Sequence, residues 1–274
     1  MADWRKILFG EFRVKRLLSS LITIPVALYI GFGIYAYFFS DSVIFQPQPT
    51  SFRDDDSIIK LTVPNGEKIS AKFFKNVNAE FTILYSHGNA ENISELSPFF
   101  EELSNEGFNV FAYEYRGYGT SDGKPSEQNA YEDAETAYNY LVNEQKISPE
   151  KIIIFGHSLG GAVAIDLASR RKCGGLIAES TFVTAFRVLT QIPIYPFDKF
   201  QSINKIKDVN CPVLVIHGKR DSIIPFWHGE KLFEAANEPK SNYWIDDAGH
   251  NNVPDVGGKN YYTTIKLFSG KLKK

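Results

Sequence analysis

A mostly parallel, doubly wound α/β sheet is what this chain predicts, and three observations carry that reading. Short apolar runs alternate with helix-length segments from residue 81 to residue 267. Midway, Ile152-Ile153-Ile154-Phe155 runs into Gly156-His157-Ser158-Leu159-Gly160 and then into an Ala- and Leu-rich stretch, so that strand, sharp turn and helix follow directly. Ahead of the alternation, Asn65-Gly66 joins two strand-like runs and reads as a hairpin. With 274 residues, 43% of them hydrophobic, the chain can bury one large core and carry a short appendage.

Composition removes several functional classes. Lys and Arg number 30 against 32 Asp and Glu, a net charge of −2, so no nucleic-acid partner is expected. No Gly-rich dinucleotide fingerprint, P-loop or His/Cys metal cluster occurs, so neither cofactor nor metal is expected. The two cysteines, Cys173 and Cys211, each precede a predicted strand. A disulfide is possible if those strands are neighbours; two free buried thiols are the simpler expectation.

The N-terminus reads as a membrane anchor. Residues 1–16 form a basic segment, with Arg5, Lys6, Arg13, Lys15 and Arg16 against Asp3 and Glu11. Residues 17–40 carry no charge. About 24 helical residues span about 36 Å, enough for a hydrocarbon core of ~30 Å. Tyr35, Tyr37, Phe38 and Phe39 would sit in the far interface. Basic residues before the span and Asp41, Asp54, Asp55 and Asp56 after it place the N-terminus in the cytoplasm and the rest on the other side. A cleaved signal peptide would have a shorter apolar core of ~7–15 residues and an Ala-x-Ala site, and a buried core helix is seldom this long.

Residues 41–56 read as a linker, Pro-interrupted and extended over 43–52. One folded domain follows over 57–274. Residues 57–63 and 68–75 would be the hairpin strands, forming one edge of the sheet. Further strands are expected at 81–85, 110–115, 152–155, 176–178, 213–216 and 243–245. Helices are expected at 94–106, 127–145, 162–171, 229–236 and 261–267. Right-handed crossovers would gather the loops after the strands along one edge, where sites form in such sheets.

That edge collects the chemistry. Ser158, on a strained turn between two glycines, has the setting of an exposed nucleophile. A serine hydroxyl needs a base, and the base needs an orienting acid. Of the histidines after Ser158, His217 ends a strand and would pack its loop. His228 starts a helix and would be solvated or capping. His250 lies in a Gly-flanked loop after the last strand, where a base belongs. Asp221, in a post-strand loop followed by Ile223-Ile224-Pro225, is the candidate acid. Glu179 is its competitor, while Asp246 and Asp247 are too near His250 in sequence. An oxyanion would be held by the backbone N–H groups of Leu159 and Asn89. His87 and Arg116 read as structural.

Ser86-His87-Gly88-Asn89-Ala90, Tyr115-Arg116-Gly117-Tyr118-Gly119, the Ser158 turn, His217-Gly218-Lys219-Arg220-Asp221 and Ala248-Gly249-His250 together resemble the α/β-hydrolase superfamily. More narrowly, the chain is similar to its membrane-associated serine hydrolases, a group that includes the depalmitoylating acyl-protein thioesterases and their single-span relatives. It departs from the depalmitoylases in having no cysteine before Cys173, and in reading His157-Ser158-Leu159 where they commonly read Gln-Ser-Ile. The resemblance implies Ser158 as nucleophile, Asp221 as acid and His250 as base.

Residues 181–210 fall where this fold inserts a cap. The insertion is short and apolar, and Phe182, Phe186, Ile192, Tyr195 and Phe197 are the candidate substrate-binding residues. An anchored enzyme with such a cap is expected to cleave acyl esters or thioesters of a lipid or an acylated protein. A serine peptidase or small-molecule esterase of the same fold is the alternative; a non-catalytic membrane scaffold is the remote one.

Overall fold

The computed structural model describes residues 4–49 and 53–272, with side chains from Arg16 onward. The basic side chains before Arg16 and the linker residues 50–52 lie outside the described residues. The chain divides into two compact units, Met1–Val43 and Ile44–Lys274. The first is helical. Helix α1 (Trp4–Ile44) contains Pro25, and its 29 residues Arg16–Ile44 are long and apolar enough to cross a membrane by length and composition. Leu21, Ile22, Phe32 and Phe38 along it stand exposed.

Among the described residues the second unit carries an eight-stranded sheet, ordered β1-β2-β4-β3-β5-β6-β7-β8. The strands are β1 (Ile58–Thr62), β2 (Lys68–Phe74), β3 (Thr82–Ser86), β4 (Asn109–Tyr113), β5 (Ile152–His157), β6 (Gly175–Glu179), β7 (Val213–Gly218) and β8 (Lys240–Ile245). β1 and β2 pair antiparallel, Ile59 opposite Ala71, and β2 pairs antiparallel with β4. All remaining pairs are parallel. Gly66, at φ +90°, supplies the hairpin conformation that its Asn-Gly pair predicts. β8 starts three residues ahead of its expected place. As an edge strand it is half exposed, and Lys240-Ser241-Asn242 give it no apolar signature.

The domain's helices then enter in order: α2 (Ser97–Asn105), α3 (Glu127–Asn139), α4 (Leu159–Arg170), the short α5 (Arg187–Thr190) and α6 (Ser202–Lys205) of the cap, and α7 (Trp227–Ala235). They are followed by α8 (Val253–Lys271), which breaks at Gly258. The period-2 alternation of the central strands sorts the core into two layers. Ile152, Ile154, Leu176 and Val215 face Ala134, Leu141, Val163 and Leu167 of the α3/α4 side. Ile153, Phe155, Ile177 and Leu214 face Phe100 of α2 and Tyr261 and Ile265 of α8. α3 forms because Ser126 caps it, its hydroxyl accepting the Asn129 N–H at 3.1 Å, and because Ala130, Ala134, Ala137, Tyr138 and Leu141 fall on one face. Its last turn, Tyr140–Glu144, widens into a π-helix.

The folded unit begins earlier than residue 57. Phe45 is buried against Tyr118 and Phe200, with ring centroids 6.5 and 5.9 Å away. The helix before it runs to Ile44 rather than stopping at residue 40. Burial of this aromatic side chain ties the chain just past the helix to the domain.

The order in which strands are added to the sheet reverses between β3 and β5. β3 leads outward to β4, while β5 leads the other way to β6. Loops after two such strands diverge and leave a crevice between them. The loop after β3 carries Gly88 and Asn89; the turn after β5 carries Ser158.

Candidate active site

Ser158 sits between β5 and α4 with φ +54° and ψ −118°, a conformation an L-residue holds only when its surroundings impose it. Two close approaches impose it. A Cβ on Gly156 would meet Gly160 O at 2.0 Å, and one on Gly160 would meet Ser86 O at 2.0 Å. The first glycine therefore lets the turn close on itself. The second lets the turn press against the end of β3.

Ser158 Oγ lies 2.9 Å from His250 Nε2. His250 Nδ1 lies 2.7 Å from Asp221 Oδ2. Asp221 Oδ1 accepts the N–H groups of Ile223 at 2.9 Å and Ile224 at 2.7 Å, which fixes the carboxylate plane. His217 Nε2 stands 3.3 Å from Asp221 Oδ2 and 2.9 Å from Ile224 O. Burial pushes the Asp221 carboxyl up, but hydrogen bonding to His217 and His250 outweighs it and holds the group well below the usual carboxylate range. The two loops meet because Gly218 has no side chain: a Cβ there would strike Ala248 O at 2.3 Å. Arg220 N–H also donates to Ala248 O at 2.9 Å.

Leu159 is the first residue of α4, directly after Ser158, so its N–H has no acceptor within the helix. Across the crevice, Gly88 N–H donates to Glu91 Oε2 at 2.6 Å. His87 is buried under the same loop, its Nδ1 2.8 Å from Gly88 O and its Nε2 3.1 Å from Glu114 Oε2.

These features coincide with known proteins. Residues 78–196 match the family model described as serine aminopeptidase, S33. The human alpha/beta hydrolase domain-containing protein 17B is 38% identical over 224 residues, covering 80% of this chain and 77% of that protein. This chain belongs to the α/β-hydrolases. The 17C protein of Xenopus tropicalis is 40% identical over 204 residues, 73% of this chain and 66% of its own. In fold, an esterase of Pyrococcus furiosus superposes with a TM-score of 0.69 at 19% identity, over 84% of this chain and 98% of its own. An alpha-beta hydrolase of Vibrio vulnificus gives 0.64 at 24%, over 77% and 80%.

In this hydrolase the rival acids lie elsewhere. Glu179 is buried and accepts the Tyr261 hydroxyl at 2.7 Å, and burial pushes its carboxyl up. Asp246 and Asp247 are exposed and pair with Lys219 at 2.6 Å and Arg220 at 2.8 Å. Arg116 is structural, as its position predicted: buried, it reaches Asp133 at 2.7 Å and Glu132 at 2.9 Å. Cys173 and Cys211 are free and buried, on neighbouring strand entries, with Sγ atoms 3.1 Å apart.

His228 departs from expectation. It is buried rather than solvated; its Nδ1 accepts the Val183 N–H at 3.2 Å and so holds the root of the cap. Burial, aided by His217 and Arg187, lowers its imidazole to about 4. The cap residues separate by depth. Phe182 belongs to the core and packs on Phe200, 6.3 Å between centroids. Phe186 and Tyr195 both contact Phe197, at 6.1 and 5.4 Å, in a half-buried cluster. Ile192 is 66% exposed at the tip, beside Leu189 at 84%.

One buried ion pair beside the candidate nucleophile escaped sequence reasoning. His157, just before Ser158, is buried, with Nδ1 3.4 Å from Glu91 Oε1. Burial pushes its imidazole down, but the Glu91 charge outweighs this and lifts it to about 9. Pairing with His157 likewise overcomes burial and draws Glu91 down to about 2. A polar residue at the end of a fully buried strand was the available signal.

Proposed function

We propose that this hydrolase cleaves acyl esters or thioesters through a covalent acyl-enzyme. The observation that carries the proposal is the chain of contacts from Ser158 Oγ to His250 Nε2 at 2.9 Å and from His250 Nδ1 to Asp221 Oδ2 at 2.7 Å. His250 takes the proton as Ser158 attacks the acyl carbonyl. The N–H groups of Leu159 and Asn89 receive the oxyanion, and the protonated His250 gives its proton to the leaving alcohol or thiol. Water then repeats the sequence and releases the acid. Asp221, held ionised, keeps His250 in the required tautomer.

The apolar cap supports an acyl substrate. Phe186, Tyr195 and Phe197 would wall a trough, with Ile192 at its rim. The apolar helix supports an anchored enzyme acting on a lipid or an acylated protein; the basic residues before it and the acidic residues after it are the ground for reading the N-terminus as cytoplasmic and the domain as lying on the opposite face. A second reading, cleavage of a peptide amide, is favoured by the aminopeptidase description of the matched family model.

One assay series separates the two. Full-chain protein in detergent is given p-nitrophenyl esters of rising chain length, matched acyl thioesters and aminoacyl amides, beside Ser158→Ala and a fluorophosphonate probe. The acyl reading expects kcat/KM to rise up to about fourfold per methylene until the trough fills, from ~0.8 kcal/mol each. Amides turned over faster than esters would support the peptidase. Equal probe labelling of wild type and Ser158→Ala would remove Ser158 as nucleophile. Protease digestion of a C-terminally tagged chain in intact cells tests topology, since full protection would place the domain in the cytoplasm.

A further inference from the structure

The side chain of Asn89 does something its backbone role does not require. Its Nδ2–H donates to the backbone carbonyl of Ile44 at 2.6 Å. Its Oδ1 accepts the Gln46 N–H at 2.8 Å and the Tyr118 hydroxyl at 2.7 Å. The Gln46 N–H also reaches the Tyr118 hydroxyl at 3.0 Å. An amide offers two donors and one oxygen with two lone pairs, and here one donor and both lone pairs are engaged. Every partner belongs either to residues 44–46, at the end of the apolar helix and just past it, or to Tyr118, whose ring packs on Phe45 and on His87, 6.5 and 5.4 Å away. Ile44 is the last residue of that helix.

We propose that Asn89 is a positioning residue which fastens the oxyanion loop to residues 44–46, so that the segment leaving the anchor helps build the active site. The proposal rests on the serine-hydrolase reading above. Asn89 lies between Gly88, held from one side by Glu91, and Ala90, at φ +57°. With its amide bound to two backbone groups and the Tyr118 hydroxyl, the side chain sets where the Asn89 N–H points. Catalysis by such a donor depends on its being aimed before the reaction begins. Displacement or stretching of the segment would blunt the oxyanion hole without touching Ser158, Asp221 or His250.

The test uses full-chain protein and three variants. Asn89→Ala removes the amide. Gln46→Pro removes the N–H from the other side and leaves the loop's own residues intact. The double variant joins them. For Asn89→Ala, kcat on a p-nitrophenyl ester should fall about tenfold to a hundredfold with KM within about threefold, since one oxyanion donor is worth ~10²–10³ when lost completely. Binding of a trifluoromethyl ketone, which forms a tetrahedral oxyanion on Ser158, should weaken in parallel; a merely structural bond would not move that ratio. Gln46→Pro should show the same pattern, and the double variant should lose little more than Asn89→Ala alone, because both cut one linkage. Should Asn89→Ala fail to fold, Tyr118→Phe with Gln46→Pro completes the same cycle. Unchanged kcat and ketone affinity in Asn89→Ala, or losses that simply add, would overturn the proposal. Absence of ketone binding or turnover in wild type would instead overturn the serine-hydrolase reading.

Discussion

His157 Nε2 lies 3.3 Å from the backbone carbonyl of His250, and the two rings are 5.2 Å apart. The residue before the nucleophile therefore holds the loop of the candidate base. On its other side it faces Glu91, which holds Gly88. One ion pair thus touches three parts of the candidate site: the Ser158 turn, the Gly88–Asn89 loop and the His250 loop.

That pair has a pH signature. His157 is raised from 6.5 to about 9, so its stabilisation is complete below about pH 6.5 and fades as pH rises through about 9. Glu91 is lowered from 4.5 to about 2, so its share is present above about pH 4.5 and is lost as pH falls toward 2. The two shifts describe one interaction, on the order of 2–3 kcal/mol. Wild type should melt about 5–10 °C above His157→Gln at pH 6, and the gap should narrow by pH 10. A gap that stays constant over that range would contradict the ion pair.

Asp221→Asn should keep the fold and lower kcat by a factor of about 10³–10⁴, because an amide no longer favours the His250 tautomer that takes the serine proton. Its Oδ1 can still accept the Ile223 and Ile224 N–H groups. Circular dichroism with steady-state kinetics checks both halves. A drop below tenfold would point to another acid.

Gly160→Ala tests the elbow's packing against β3. The added Cβ would sit 2.0 Å from Ser86 O and 2.5 Å from His87 O, both backbone atoms that cannot swing aside. Strain of about 3 kcal/mol or more is expected. Thermal melting should show it, and Gly270→Ala, with nothing within 4 Å, is the silent control.

Arg116→Met should destabilise by about 2–3 kcal/mol, since Asp133, whose carboxyl burial already lifts to about 7, loses its guanidinium partner and must be buried neutral and less well hydrogen-bonded. Adding Asp133→Leu should restore a large part of that loss. Urea unfolding of the single and double variants measures it; a double variant weaker than the single would show that the pair's other hydrogen bonds matter more than its charge.

How legible was all this in the chain? Elements with a strong local signal could be read directly. The middles of the central strands are apolar because they are covered on both faces, and Asn65-Gly66 favours its hairpin by backbone sterics. α3 announces itself through a serine cap and one apolar face. The chain order of Ser158, Asp221 and His250 was visible too, because strained turns and post-strand loops require particular residues at particular spacings. The half-exposed β8 and the broken start of α8 were blurred, since polar edge residues and Gly257-Gly258 erase periodicity.

Other features arise only when distant segments meet. Nothing near Glu91 in the sequence indicates that His157 will face it, and nothing near Asn89 indicates that Ile44 and Gln46 will bind its amide. His228 looks like a surface histidine at a helix start until the cap closes over it. Local propensity is a property of neighbours in the chain, so the sequence by itself determined the sheet, its order of loops and the candidate nucleophile, acid and base. A buried charge or amide takes its partner from whatever the topology brings within 3 Å, and only the tertiary structure could decide that.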